Sequence, residues 1–245
     1  TDQNYLRTID INGVDGTYFM CVVGGEAVPG SSYTLAFNKQ MLEDAGLENP
    51  NDLYAKGEWT WDKFQEIAQS GNQDLDGDGT IDIYGFNARE NLAWCYLYSN
   101  GAYVAEKTDA GINVDLSDAK VVEALSGLQD FSQNVEFRDA IDWSVEGWDS
   151  FIKDFRDGKY MMCLEEFWIS YAYLNKDEDG MSDDWGWVPF PKGPSATDWS
   201  CYGKENGARF ILNGVEKPED VALVYDLITD LADTNEEWDD LMEDK

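Results

Sequence analysis

An α/β protein is what this chain predicts, on three observations. Amphipathic segments with helical spacing recur along it, short apolar runs of strand length lie between them, and Gly, Pro and cap residues mark the junctions. Residues 38–45 read as a short helix with Met41, Leu42 and Ala45 on one side, closed by Gly46. Thr60 is the expected N-cap of a helix whose apolar face is Trp61, Phe64, Ile67 and Ala68, ending near Gly71. Residues 81–86 read as a short strand. Ser117 is the expected cap of a longer helix through Gln133, with Val121, Leu125, Leu128 and Phe131 at helical spacing. Trp148, Phe151, Ile152 and Phe155 mark another helix, stopped by Gly158. The apolar run 160–164 is short enough for a buried strand. Pro189, Pro191 and Pro194 impose an extended connection. Residues 210–212 look strand-like. Pro218 opens a last helix with Val221, Val224, Tyr225, Ile228 and Leu231 expected to face inward, and an acidic tail follows Thr234.

The most specific local motif is D-L-D-G-D-G-T-I-D, from Asp74 to Asp82. Carboxylates at alternate positions followed by glycine form the first half of a calcium loop. Asp74, Asp76 and Asp78 take the first three ligand positions, Thr80 offers its backbone carbonyl, and Asp82 reaches the ion directly or through water. Such hard oxygen ligands suit Ca2+ rather than zinc. Gly85 stands where an EF-hand carries its bidentate glutamate. The expectation is a structural Ca2+ clamp, and the alternative is an Asp/Gly-rich solvated turn.

Composition narrows the function. The 245 residues are 43% hydrophobic and 14% aromatic, enough for a packed core rather than a disordered chain. A net charge of −33 repels nucleic acid and anionic membrane surfaces. It suits a soluble protein working outside the cell or in a salty medium. No apolar run reaches the roughly 18 residues that read as a membrane span. Thr1 follows no signal peptide, lipid-attachment cysteine or initiator methionine, so a mature form or an excised piece is expected. The sequence has no histidine, which removes Ser-His-Asp and Cys-His catalysis and H-E-x-x-H zinc sites. A phosphate-loop spacing at 25–32 carries Ser31 where the lysine belongs. Cys21, Cys95, Cys163 and Cys201 form no C-x-x-C pair; buried free thiols are expected, with a disulfide left open.

Several motifs in order carry a resemblance. S-Y-T-L-A-F-N-K-Q-M-L-E-D-A-G-L from Ser32, E-W-T-W-D-K-F from Glu58 and the acidic loop with Y-G-F behind it come first. F-R-D-G-K-Y-M-M from Phe155 and W-G-W-V-P-F-P-K-G-P from Trp185 follow. Together the chain resembles bacterial extracellular solute-binding proteins of the sugar-binding, maltose-binding-protein-like ABC transporter family. The resemblance implies a periplasmic-binding-protein-like fold of two α/β lobes, solute being held in the cleft between them. It covers mostly the C-terminal lobe with part of the N-terminal lobe. The implied domains are 1–31 as N-terminal-lobe remnant and first crossing, 32–200 as C-terminal lobe, and 201–245 as return hinge and remnant.

The resemblance further implies a monomeric, non-catalytic protein that delivers a mono- or oligosaccharide to ABC permease subunits. Its implied place is the periplasm, or the outer face of the cytoplasmic membrane with a lipid anchor on the full-length parent. The segment Glu165-Glu166-Phe167-Trp168 follows an apolar strand, where α/β sheets present ligands. Trp168 aligns with a sugar-stacking tryptophan of maltose-binding protein, and core packing is the alternative. Pyranose faces stack on aromatic rings, and hydroxyls seek carboxylates, amides and arginine. Glu26, Tyr33, Asn91, Trp94, Trp199, Tyr202 and Arg209 complete the expected site. A carbohydrate-active, glycoside hydrolase-like enzyme using Glu165 and Glu166 with a nearby Asp is the alternative function. Adjacent strand residues point to opposite faces, which suits that chemistry poorly. A binding lobe feeding a sensor is a third reading.

Overall fold

The computed structural model describes residues 6–8, 18–21, 32–88, 91–108, 111–137, 147, 149–175, 180–203, 208–211 and 215–229. The described elements run β1 (Leu6–Thr8), β2 (Tyr18–Cys21), β3 (Tyr33–Asn38), α1 (Lys39–Asp44), α2 (Pro50–Lys56), α3 (Trp61–Ser70) and α4 (Leu92–Ser99). Then come β4 (Ala105–Thr108), β5 (Gly111–Val114), α5 (Ala119–Asn134), α6 (Ser150–Arg156), β6 (Met162–Glu166), α7 (Phe167–Leu174), β7 (Trp185–Pro189), β8 (Ala208–Phe210) and α8 (Pro218–Thr229). The chain divides into two compact units, Val28–Lys204 and the combination of Thr1–Ala27 with Glu205–Lys245.

The larger unit is built on a three-stranded sheet in the order β6-β3-β7, with β3 antiparallel to both neighbours. Strands β3 and β6 are buried along their whole length, as two-sided coverage requires. Alternation sorts their side chains between two cores. Tyr33, Leu35, Phe37, Met162, Leu164 and Val188 face a cluster containing Trp59, Phe64, Tyr96, Val121 and Phe131. Ala36 and Cys163 face a second cluster made by Phe151, Ile152 and Phe155 of α6 and Ile169 and Leu174 of α7. The sheet therefore carries helices on both faces. The β4–β5 hairpin follows α4 directly.

The expected helices at 38–45, 60–71 and 148–158 correspond to α1, α3 and α6. Asn38 caps α1 by accepting from the Met41 N–H at 3.0 Å. Thr60 holds the N-cap position of α3, but its side chain makes no capping bond there. The long helix begins one residue later than Ser117 predicts. Asp118 is its cap, accepting from Lys120 N at 2.9 Å, while Ser117 donates to Asp115 instead. A carboxylate is the stronger acceptor at a helix N-terminus. On α5, Leu125 is exposed, and the buried stripe runs through Val121, Ala124 and Phe131.

Residues 81–86 are not a continuous strand. Tyr84 and Asn87 make single parallel bridges to Tyr160 and Cys163 beside β6. Between them, Gly85 turns its N–H to Asn72 Oδ1 at 2.8 Å and presses on α3, where a Cβ would stand 2.1 Å from the Ala68 carbonyl oxygen. The run of prolines also conceals a strand, because β7 occupies Trp185–Pro189 and pairs through Trp187 and Val188 before the prolines end it.

In the smaller unit, β1, β2 and β8 form an antiparallel sheet in that order. The expected strand at 210–212 lies earlier, at Ala208–Phe210. Val221 and Val224 of α8 were expected inward but are exposed, Val224 at 54%. Trp148, Leu231 and the acidic tail lie outside the described residues, as do the side chains of Tyr225 and Ile228. Cys95 and Cys163 are buried free thiols and Cys201 is a half-buried one; the Cys21 side chain lies outside the described set.

Candidate functional site

Four elements of the larger unit converge at one end of its sheet, where β3 begins and β6 ends. Tyr33 opens β3 and pairs with Glu166, the last residue of β6. The chain re-enters beside them, since Tyr33 N donates to the Tyr202 carbonyl at 2.8 Å and Ser32 bridges Gly203. Helix α7 starts immediately after Glu166, and Phe167 N donates to the Ser32 carbonyl at 3.0 Å. Asn91 at the N-terminus of α4 completes the group.

A hydrogen-bond chain joins these residues. Asn91 Nδ2 donates to Tyr33 Oη at 2.6 Å, and Tyr33 Oη donates to Glu166 Oε1 at 3.3 Å. Trp168 Nε1 donates to Glu166 Oε2 at 2.9 Å. Glu166 is only 5% exposed. Its carboxylate is thus committed to neighbours, and burying it without such donors would be costly. Trp168 is 45% exposed despite that anchor, so it is not a core residue. Its N–H is used inside the protein and its ring is offered outward.

A second aromatic group lies beside the first. Tyr202 stacks on Tyr33 (centroids 5.7 Å, 23° between planes) and on Trp94 (5.8 Å, 19°). Trp94 is 39% exposed. Tyr33 is therefore shared, its ring in the stack and its hydroxyl in the Glu166 chain.

Other expected residues stand elsewhere. Glu165 projects to the opposite side of the strand, fully buried, with Oε1 accepting from the Glu166 N–H at 2.7 Å. Phe167 packs edge-on against Trp187 at 4.9 Å and beside Tyr171. Trp199 is held by a donor bond to the Trp59 carbonyl, an edge contact with Tyr54 and the Lys192 ammonium 4.6 Å from its ring. That is a packing role rather than an offered plate. Glu26 lies outside the described residues, and Arg209 lies on β8 of the other unit with its side chain outside them. Sequence reasoning missed Tyr98, whose ring lies 5.4 Å from that of Tyr202. Its spacing of four from Trp94 on one helix was the available signal.

The acidic loop is a separate locus. One carboxylate oxygen each of Asp74, Asp76 and Asp78 lie within 4.8 Å of one another. Oxygens sharing one Ca2+ at 2.3–2.6 Å stand no more than about 5.2 Å apart, so the three fit one ion. Asp74 accepts from Gly77 N and Gly79 N at 2.7 and 2.8 Å. The Gly79 N–H above all holds the Asp74 carboxyl below the usual range. Asp82 instead closes the loop by accepting from Leu75 N at 2.7 Å, and the Thr80 N–H donates to Asp78.

No family model matches the chain, and no curated protein does. Solved structures do. An ABC substrate-binding protein of Listeria monocytogenes in complex with cycloalternan matches with a TM-score of 0.58 at 15% identity, over 97% of this chain and 54% of its own. Maltose-bound MalE3 of T. maritima matches with a TM-score of 0.58 at 20% identity, over 93% and 54%. A ribitol complex of an ABC transporter solute-binding protein from Agrobacterium radiobacter matches with a TM-score of 0.53 at 17% identity, over 80% and 47%. The chain spans about half the length of these proteins. Its fold is that of the ABC transporter solute-binding proteins.

Proposed function

We propose that the chain is the solute-binding component of an ABC importer, holding a saccharide or polyol reversibly at the end of the sheet, among Tyr33, Asn91, Trp94, Glu166, Trp168 and Tyr202, and passing it to a membrane permease. The observation that carries this is Trp168: a ring 45% exposed, with its indole N–H fixed by the buried Glu166 carboxylate. A flat apolar face held rigid next to a polar network is what the C–H face of a sugar needs. The fold neighbours supply context, their bound solutes being cycloalternan, maltose and ribitol. Work at the outer face of the cytoplasmic membrane or in the periplasm accords with the fold. No helix among the described residues is long and apolar enough to cross a membrane.

The hydrolase alternative asks for two carboxyls facing one bond from opposite sides. Glu165 and Glu166 instead lie on opposite faces of β6, with Glu165 fully buried, so that geometry favours binding. We further propose that Asp74, Asp76 and Asp78 hold a structural Ca2+, for which their mutual spacing is the support.

The test of the main reading is calorimetric titration with maltose, cellobiose, xylobiose, mannitol and ribitol. Saturable binding of at least one solute is expected, with no product formed. Trp168→Ala should weaken that binding by roughly tenfold or more, as loss of a central aromatic anchor does. Equal affinity in the variant would remove Trp168 from the site.

A further inference from the structure

The aromatic surface does not stop at Tyr202. Trp94 and Tyr98 lie four residues apart on α4, hence on one face, and both meet the Tyr202 ring. Tyr98 in turn makes an edge contact at 5.6 Å with Tyr103, just beyond the helix. Tyr103 is 53% exposed. It lines a cavity of about 380 Å³ together with Asn113, Asp115, Asp118 and Lys120.

We infer that this cavity is a second saccharide subsite, continuous with the first along α4, and that the ligand is a linear oligosaccharide. The inference rests on the proposed site and extends it.

The chemistry at the two ends of α4 is of one kind. At the N-terminal end, Asn91 belongs to the network that fixes Trp168. At the other end, an aromatic plate is ringed by an amide, two carboxylates and an ammonium, a mixed set suited to neutral hydroxyls rather than to an ion. Asp115 is oriented by Ser117, whose backbone N–H donates at 2.8 Å and hydroxyl at 2.7 Å, and Asp118 by the first N–H groups of α5. Both carboxylates are therefore fixed before a ligand arrives, which lowers the cost of ordering them. The Lys120 ammonium lies over the open face of Gly101, 3.5 Å from where a Cβ would stand. The left-handed φ of +66° there favours glycine.

Distance selects the ligand. The eight residues of α4 span about 12 Å by the helical rise. One sugar ring is too short to touch both ends, whereas a chain of several rings passes Trp94, Tyr98 and Tyr103 in turn.

The experiment is a titration of the full-length protein with disaccharides to pentasaccharides of α-1,4-glucose, β-1,4-glucose and β-1,4-xylose. Affinity should rise with length in at least one series. Tyr103→Ala should cost the pentasaccharide about three- to tenfold and leave the disaccharide unchanged, the fold-change of losing one stacked ring. Asn113→Ala, on the exposed hairpin, should remove part of the same increment without touching a ring. Trp168→Ala should weaken every length. A disaccharide bound through Trp168 with no gain on lengthening overturns the second subsite alone. So does Tyr103→Ala if it weakens all lengths equally or none. Failure of every saccharide to bind overturns both this inference and the proposed site.

Discussion

Glu166 shows that a residue's place in the sequence does not fix what its side chain does. Its position after an apolar strand marked it as a site residue, and a direct contact with solute hydroxyls was the natural expectation. The structure instead commits both carboxylate oxygens internally, to Tyr33 and Trp168. In the proposed site its work is to orient the Trp168 ring. Glu166→Ala should therefore leave the Tyr33 hydroxyl and the Trp168 indole short of an acceptor. A loss of about 1–3 kcal/mol of stability is expected, read from urea unfolding. Glu166→Gln keeps one acceptor and should lose less. Equal, negligible losses in both variants would show the network to be ornamental. Trp168 and Trp199 illustrate the same limit: both are tryptophans in the expected region, yet one offers its ring and the other is pinned by Trp59, Tyr54 and Lys192. Residue type alone does not separate a plate from a packing piece, because stacking on sugar and stacking on protein use the same surface.

Elements were legible where the signal was periodic. Helices α1, α3 and α6 follow from apolar spacing and glycine stops; the apolar run 160–164 marks β6, which begins two residues later and runs on through Glu165 and Glu166. Strand β7 was hidden because W-G-W-V-P reads as the start of a proline-rich connection, although only its last residue is proline. The interruption at Gly85 was invisible because it comes from a helix pressing on the backbone, a contact between segments distant in sequence. The α6–α7 pair offers a prediction at this scale. Asp149 accepts from Tyr173 Oη at 3.1 Å and pairs with Lys153 at 2.9 Å, tying the two helices together. The Lys153 ammonium first, and then the Tyr173 hydroxyl against some opposing burial, hold the Asp149 carboxyl below its ordinary range. A depressed folded-state pKa means stability that is present above the ordinary carboxylate range and is lost as pH falls through the lowered value. Thermal melts should thus show an acid-side decline that Asp149→Asn makes shallower, with the variant less stable than the parent near neutrality. A decline of unchanged steepness would assign it to other carboxylates.

At the scale of the whole molecule, the net charge of −33 is the dominant physical fact. It read directly from composition, and it complicates any test of the calcium loop expected at 74–82. Self-repulsion among so many carboxylates destabilises the compact state, so any salt that screens them raises the melting temperature. Calcium would do this even without a site. The loop must therefore be separated from the general field. Asp74, Asp76 and Asp78 present oxygens close enough for one ion; calcium accepts a large, flexible oxygen shell and magnesium demands a strict octahedron, so the two ions respond differently to a real site. Melting curves in CaCl2, MgCl2 and NaCl at matched ionic strength make the distinction. If the site is real, calcium should raise the melting temperature beyond the other two salts, saturably and by mass action. Asp76→Ala should abolish that excess while leaving the NaCl response intact, since one charge in −33 scarcely alters the field. Three coincident curves would mean that the acids at 74–78 feel calcium only as screening, and the loop would then be a solvated turn held by its own Asp-to-backbone bonds.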